Sequence, residues 1–473
     1  MADKKLKIAF LSAECAPFSK VGGLADVVGS LPPALQKLGV LPVLFLITHS
    51  GVDLKKIKAK KVDDCVVDFA GKVEVINIYK TKLSNSNVLV YFLSNKHFDK
   101  EEVYGGGLKK FLLYSLAAPE VMETIKFKPD IIHLHDHQVA MVPNILKSVY
   151  DNVWFDDTKT IFTIHNLNYQ GKQNPTILKN IDSNIDKLAN VVDDIKDGDI
   201  NFMAQGILSA DAITTVSPTY AKEILTKEHG ANLEKVLKKR KRKLSGILNG
   251  LDIKQFDPAN DNLITQKYSV KTLDKKNKNK LALQKKAKLP QNEKIPLVGF
   301  VSRLVYQKGI ELISEDLVKN LDCQFVILGT GEKRYEDYLK KLSEKYPKKI
   351  SPQIKFDLKT AQQIYAGSDI FLVPSRYEPC GLTQMIAMCY GSVPIVRTTG
   401  GLKDTVNKKI GFTFKKFDSK ELKKVLDKAI DIYNKKPRQW RRLQINGMKQ
   451  DFSWDKSAEK YIELYRKYST LTF

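Results

Sequence analysis

Short apolar runs alternate with stretches of helical period along almost the whole chain. Leu6 to Ser12 reads as a buried strand, followed by a loop with Pro17 and Gly22-Gly23 and a helical pattern from Leu24 to Leu38 closed by Gly39. The same order returns at IIHLHD after Pro129, at TIFTIHN from Thr160 and at AITTVS from Ala212. That alternation predicts a parallel sheet covered by helices on both faces. A second set opens with PLVGFVSR after Ile295 and continues through QFVILGTG, DIFLVPSR and VPIVRTTGG. Between the sets lies GILNGLDIKQFDP, where Asn249-Gly250 and Asp257-Pro258 punctuate the chain. The pattern predicts one α/β domain over 1–249, a second over 250–455, and a C-terminal segment, 456–473. The amphipathic helix Asp455 to Tyr468 is expected to pack back on the first domain.

Composition narrows this picture. A chain of 473 residues is too long for one ordinary core and suits two domains of about 200 to 250 residues each. Hydrophobic residues make up 43% and charged residues 28%, which is globular composition and excludes global disorder. No apolar run reaches the ~18 residues of a membrane helix, and the start MADKKLKIAFLSAE lacks a small-residue cleavage site. A soluble, cytoplasmic protein with no membrane partner is expected. Five cysteines (Cys15, Cys65, Cys323, Cys380, Cys389) are scattered without C-x-x-C pairs, against a disulfide framework or structural zinc and in keeping with a reducing compartment. The net charge of +25 would suit a phosphate backbone, but the lysines are spread along the chain and no recognition motif accompanies them, so no nucleic-acid partner is expected. The densest run, Lys238 to Lys243, reads as a solvated helix face. Lys271 to Lys280 reads as an exposed approach to a helix starting near Leu281.

In open α/β sheets ligands bind beyond the carboxyl ends of the strands, so two such domains facing each other would line a cleft with both sets of loops. KVGGLADV places Lys20, Gly22 and Gly23 where a strand passes into a helix, so that backbone N–H groups and the helix dipole favour an anion. A tight turn packing the helix on the sheet would use the same glycines. SRLVYQKG sets Arg303 and Lys308 after a strand, two cations able to stabilise a leaving diphosphate, with Gly309 opening the next helix. EPCGLTQ offers the Glu378 carboxylate to sugar hydroxyls and glycine-preceded N–H groups to phosphate. TTGGLKDTV adds Gly400-Gly401 at another helix start. His165 stands at the end of an apolar strand, on the same expected face as Asp136. His133, His135, Asp136 and His137 lack zinc-like spacing, and no metal is expected. Asp197-Gly198-Asp199 reads as a polar turn.

These motifs, with PDIIHLHDHQ, TIHNLNYQG, ADAITTVSPTYAKEI, KLSGILNGLD, PSRYEPCGLTQMIAMCYGSVPIVRTTGGLKDTV and DFSWDKSAEKYIELY, run nearly end to end. Together they identify the chain as resembling bacterial glycogen synthases and plant starch synthases, retaining glycosyltransferases of the GT-B type, in which two Rossmann-like domains face a deep cleft. The resemblance implies transfer of glucose from ADP-glucose to the non-reducing end of an α-1,4-glucan, with no cofactor beyond the nucleotide sugar and no metal. UDP-glucose, a small acceptor, or a catalytically silent glucan-binding protein are the alternatives. It implies that Lys20, Gly22 and Gly23 approach the donor phosphates and that Arg303 and Lys308 hold the diphosphate. Asp136, His165, Asn249, Glu378, Cys380 and Gly381 would surround the transferring glucose, with Leu382 and Thr383 near the donor's phosphate and ribose. The main-chain carbonyl of His165 would stabilise an oxocarbenium-like transition state, with no side-chain nucleophile. Tyr104 and His137 would lie on the acceptor side. There the chain departs from the family pattern: His137 stands where the family usually has Trp, Gly106-Gly107 where it has Asp or Asn, and Ala204 where it has Lys.

Overall fold

The structure, a computed structural model, describes residues 5–150, 153–181 and 183–469. The chain divides into two compact units, Met1–Gly250 with Trp454–Phe473, and Leu251–Ser453.

Unit 1 is built on a nine-stranded sheet. Its strands are β1 (Lys7–Ser12), β2 (Leu41–Ile47), β3 (Lys60–Phe69), β4 (Lys72–Lys82), β5 (Leu89–Ser94), β6 (Ile131–His135) and β7 (Lys159–Ile164). A short pair, β8 (Lys172–Gln173) and β9 (Ile200–Asn201), stands apart, and β10 (Ala212–Thr215) and β11 (Leu244–Gly246) complete the main sheet. The spatial order is β11-β10-β7-β6-β1-β2-β5-β4-β3. The first seven positions are parallel, and β4 and β3 add an antiparallel ribbon at one edge. Sequence explains the difference. KIAFLS is buried along nearly its whole length, as a strand covered on both faces must be, whereas β3 alternates exposed and buried from Asp64 to Phe69, as a one-sided edge strand does. Ile8 and Phe10 of β1 join a core with Leu24, Val28 and Leu31 of helix Gly23–Lys37, while Ala9 and Leu11 join one with Leu112 and Leu116 of helix Gly107–Thr124. The last helix, Trp454–Tyr468, buries Ala458, Tyr461 and Tyr465 in the first of these cores, against helix Gly23–Lys37.

Unit 2 carries six parallel strands: β12 (Leu297–Val301), β13 (Gln324–Leu328), β14 (Ile350–Gln353), β15 (Ile370–Val373), β16 (Val393–Arg397) and β17 (Phe412–Phe414). Their order is β14-β13-β12-β15-β16-β17, the doubly wound arrangement of a Rossmann-like domain. Strand order therefore reverses between β1 and β6 in unit 1 and between β12 and β15 in unit 2. Those reversals are where an open α/β sheet leaves a crevice for ligand.

Three expectations change. Beyond the strands read from apolar runs, the sheets contain β2 to β5, β11, β14 and β17. The Lys238–Lys243 run is not one helix face: it spans the end of helix Glu234–Lys239 and a 3-10 turn, Lys241–Lys243, that feeds edge strand β11. Nor is Lys271–Lys280 uniformly exposed. Lys276 and Lys280 are buried on helix Lys276–Lys286 because each finds polar partners inside unit 2. Lys280 pairs with Asp369 at 2.7 Å, and Lys276 donates to the carbonyls of Tyr365 and Ala366 and to Ser392 Oγ. The Asp197–Asp199 turn forms around Gly198 (φ 93°), with Asp199 3.0 Å from Lys172. All five cysteines are free thiols.

Candidate active site

At the switch point of unit 1, the loops after β1, β6 and β7 converge. Gly22 caps helix Gly23–Lys37, as its motif requires, but the anion its N–H meets is the protein's own. The buried carboxylate of Glu14 accepts from Val21 N–H at 2.6 Å and Gly22 N–H at 2.8 Å, and its other oxygen accepts from the Tyr104 hydroxyl. Lys20 is bound to Asp26 at 2.6 Å. The N–H of Gly22 and the Lys20 ammonium thus already have partners within the protein. Sequence reading passed over Glu14. Its signal was an acid two residues beyond a buried strand, in the loop that opens the switch point. Tyr104 is 43% exposed, and Lys110 Nζ steadies its loop by donating to the carbonyls of Glu102 and Val103.

Asp136 follows β6 with φ 60° and ψ −178°, a backbone conformation costly for any residue with a Cβ and kept only where surrounding contacts enforce it. Its Oδ1 accepts the His165 N–H at 2.7 Å, joining the ends of β6 and β7. Burial pushes the Asp136 carboxyl up to about 7, opposed by the N–H bonds of His165 and Asn166. Burial also pushes His165 down to about 3, so its imidazole is neutral at ordinary pH. His135 Nδ1 lies 2.9 Å from His165 Nε2. His137 opens a 3-10 turn with its ring edge-on to Phe111, and a Cβ on Gly171 (φ 64°) would come within 2.5 Å of its Cδ2. The ring is seated in the fold on that side rather than standing free. Asn249 is buried, and its Oδ1 has no hydrogen-bond partner among the described residues. Ala204 is 2% exposed on helix Phe202–Ser209, and Gly106 and Gly107 sit at the start of helix Gly107–Thr124 with φ of 75° and 68°. Among the described residues no group of three or more His, Cys, Asp or Glu is placed to hold a metal.

At the switch point of unit 2, the loops after β12 and β15 are bound to each other. Arg376 N–H donates to Gln307 O and Gln307 Nε2 to Tyr377 O. Gly309 opens a 3-10 turn, Ile310–Leu312, rather than an α-helix. It lies between two 3-10 turns at φ 71°, and a Cβ there would come within 2.3 Å of Pro374 O. This approach brings Lys308 to Glu378 at 2.6 Å, and Ser375 Oγ donates to the same Glu378 oxygen at 2.8 Å. Arg303 is exposed, and among the described residues its side chain has no ion pair. Glu378 is held from behind: its carbonyl accepts the Gly401 N–H, and a Cβ on Gly401 would sit 2.1 Å from Cys380 O. The glycines of TTGG thus allow the EPCG turn to lie against them. Cys380 is buried, Gly381 takes φ 73°, and Leu382 and Thr383 start helix Thr383–Cys389 with backbone N–H groups at its open end. Two features escaped sequence reading. Arg376 lies between the rings of Tyr306 (4.1 Å) and Phe417 (3.8 Å) and pairs with Glu311, and Phe356, in the loop after β14, is 80% exposed. The signal for each was an aromatic just beyond a strand.

Two doubly wound units, the second with cations and a carboxylate at its switch point, define a glycosyltransferase of the two-Rossmann-domain type. Residues 283–445 match the family model described as glycosyl transferases group 1, and residues 7–239 match that of the starch synthase catalytic domain. The glycogen synthases of Thermosipho melanesiensis and Thermotoga maritima are each 43% identical to the chain, covering 98% of it and 99% of their own length. The catalytic domain of starch synthase IV from Arabidopsis thaliana, solved bound to ADP and acarbose, superposes with a TM-score of 0.91 at 34% identity, over 98% of this chain and 99% of that one. The chain belongs to the glycogen and starch synthase family of glycosyltransferases. Among the described residues no helix is long and apolar enough to cross a membrane.

Proposed function

We propose that the protein transfers glucose, with retention of configuration, from ADP-glucose to the non-reducing end of an α-1,4-glucan. The observation that carries this reading is the Arg303, Lys308, Glu378 and Ser375 constellation at the β12/β15 switch point, in a chain related throughout its length to glycogen synthases. The ADP and acarbose bound to the related starch synthase support the choice of donor and acceptor.

In this reading Arg303 and Lys308 stabilise the charge that builds on the diphosphate as its bond to the sugar C1 breaks. Gly381, Leu382 and Thr383 turn N–H groups toward phosphate, and Glu378 and Asn249 take sugar hydroxyls, with Cys380 walling the turn. The acceptor hydroxyl forms the new bond to C1 on the face the diphosphate leaves, and its proton passes to the departing phosphate oxygen. The His165 carbonyl faces the transient positive charge, and Asp136, which holds the His165 N–H, aims that carbonyl. Lys20, Gly22 and Gly23 meet the donor phosphates in competition with Glu14, and Tyr104 and His137 border the acceptor. The reaction takes no cofactor beyond the nucleotide sugar. The protein is assigned to the cytoplasm.

The test is incorporation of labelled glucose from ADP-glucose and from UDP-glucose, with glycogen and with short maltodextrins, followed by digestion with an α-1,4-specific amylase. Label in polymer, released by the amylase and greatest with ADP-glucose, is expected. Transfer only from UDP-glucose or only to small sugars would replace this reading with that of a related transferase, and no transfer would leave a glucan-binding protein.

A further inference from the structure

Three imidazoles in unit 1, those of His133 and His135 buried and that of His165 half-buried, connect the C-terminal helix to the loop after β7. His133 and His135 share one face of β6, their ring centroids 4.2 Å apart, and Phe10 of β1 stacks on His135 at 5.8 Å. His133 is satisfied at both nitrogens. Its Nδ1 lies 2.8 Å from the hydroxyl of Tyr465 and its Nε2 2.6 Å from Thr163 Oγ1, which in turn meets Thr214 Oγ1 at 2.5 Å. The Tyr465 hydroxyl is buried, and its hydrogen bond among the described residues is this one. A buried phenol does not leave its proton unused, so it donates to Nδ1. His133 then carries its proton on Nε2 and donates to Thr163.

His135 is satisfied at one nitrogen alone. Its Nδ1 lies 2.9 Å from His165 Nε2, and its Nε2 is buried without a partner among the described residues. Burial keeps all three rings neutral, so each carries one proton. If His135 accepted at Nδ1, its Nε2–H would be a buried donor with nothing to bind. If it donates at Nδ1, only a lone pair is left over, and buried structures tolerate a spare acceptor better than an orphaned N–H. His165 therefore accepts at Nε2 and carries its proton on Nδ1. With its main-chain N–H held by Asp136, the residue is gripped at backbone and ring together.

We propose that His135 is a positioning residue that locks His165 in the Nδ1–H tautomer and one ring orientation, and that Tyr465 of the C-terminal helix, through His133, holds His135 in place to do so. Its catalytic consequence rests on the reading of the His165 loop as part of the active site; the tautomer itself does not.

The test has two arms. Full-length protein labelled with 15N-histidine reports the tautomer of each imidazole at pH 7.5, with His165 and His135 assigned by the signals lost in His165→Gln and His135→Asn. A protonated Nδ1 and bare Nε2 at His165 are expected. The reverse tautomer, or an averaged signal, overturns the proposal whether or not the protein is a transferase. In the second arm, His135→Phe keeps a ring in the stack but removes the donor. It should lower kcat about tenfold to hundredfold, as loss of an outer-sphere orienting partner does, with donor KM little changed. The amide of His135→Asn can donate from nearly the same point as Nδ1–H and should recover most of that loss. Equal loss in both variants would mean that packing, not the hydrogen bond, is what His135 provides. Tyr465→Phe should leave the fold intact and mix the His165 tautomers; an unchanged His165 signal would remove the C-terminal helix from the relay.

Discussion

Lys308 and Arg303 carry the same charge into opposite surroundings. Lys308 is already committed to Glu378, while Arg303 stands exposed. A cation fixed by a carboxylate that a hydroxyl holds in turn is preorganised. When negative charge grows on a leaving diphosphate it stabilises the transition state more than the ground state, so its loss should fall mainly on turnover. Lys308→Ala is expected to lower kcat by on the order of a hundredfold or more, with the fold retained. Arg303→Lys should also be damaging, because an ammonium cannot reproduce the planar fork that grips two phosphate oxygens. The combined loss should be less than additive, since both would serve one leaving group. Steady-state kinetics on folded, monodisperse protein decide it: a kcat for Lys308→Ala within about threefold of the parent would demote the loop to a structural ion pair. Much of this site was legible as a list of residues beyond strands, because glycines, cations and strand ends are local signals. Its internal pairing was not. Glu14 on Gly22, Lys308 on Glu378 and His135 on His165 join residues 8 to 70 positions apart, and nothing in the local pattern announces such partners.

The same limit holds for whole elements. Strands with continuous apolar runs, such as LVGFV and QFVIL, were legible because a parallel strand buried on both faces has no polar side to disguise it. β3 was not, since KKVDDCVVDF mixes the charges of an edge strand with a half-buried face. Helix Lys276–Lys286 was misread for a related reason: KNKNKLALQKK has the composition of a solvated face, and the partner that makes Lys280 a core residue, Asp369, lies far along the chain. The energetic consequence is testable. Removing one member of a buried ion pair leaves the other charge uncompensated, so Lys280→Ala should destabilise unit 2 by about 3–5 kcal/mol. Lys278→Ala, two residues away and exposed, should change it by no more than about 0.5 kcal/mol. Denaturant unfolding of both variants measures the contrast, and comparable losses would mean that Lys280 is not desolvated as its 1% side-chain exposure implies.

Across the whole molecule, charge is distributed unevenly in kind. Lysine is spread throughout, but all seven histidines lie in unit 1. Five of them are held neutral by burial: His133 and His165 down to about 3, His49 and His137 to about 4, and His135 well below its usual value. A histidine whose folded pKa is depressed gives stability that is whole above its unfolded value, near 6.5, and is lost as pH falls toward the folded value. Each such group gives a slope of at most about 1.4 kcal/mol per pH unit in that window. Asp136, raised to about 7, acts the other way, binding a proton in the folded state that the unfolded chain binds only near 4. Asp26, Glu120 and Asp194, also raised by burial, work with it. Over pH 6.5 to 5 the histidines outweigh these acids by number, five depressed imidazoles against four raised carboxyls of which Asp136 alone is raised to about 7. Unit 2 has no histidine. Its one comparably perturbed lysine, Lys276, is lowered to about 7 by burial, so its contribution rises between pH 7 and 10 and is flat below. Mild acid should therefore loosen unit 1 first. Hydrogen exchange followed peptide by peptide from pH 7 to 5, corrected for intrinsic rates, should show protection falling in β1, β6 and β7 while β12, β13 and β15 hold theirs. His133→Asn, which removes one buried imidazole, should flatten the loss in unit 1, and parallel loss of protection in both units would show that the buried histidines do not govern acid stability.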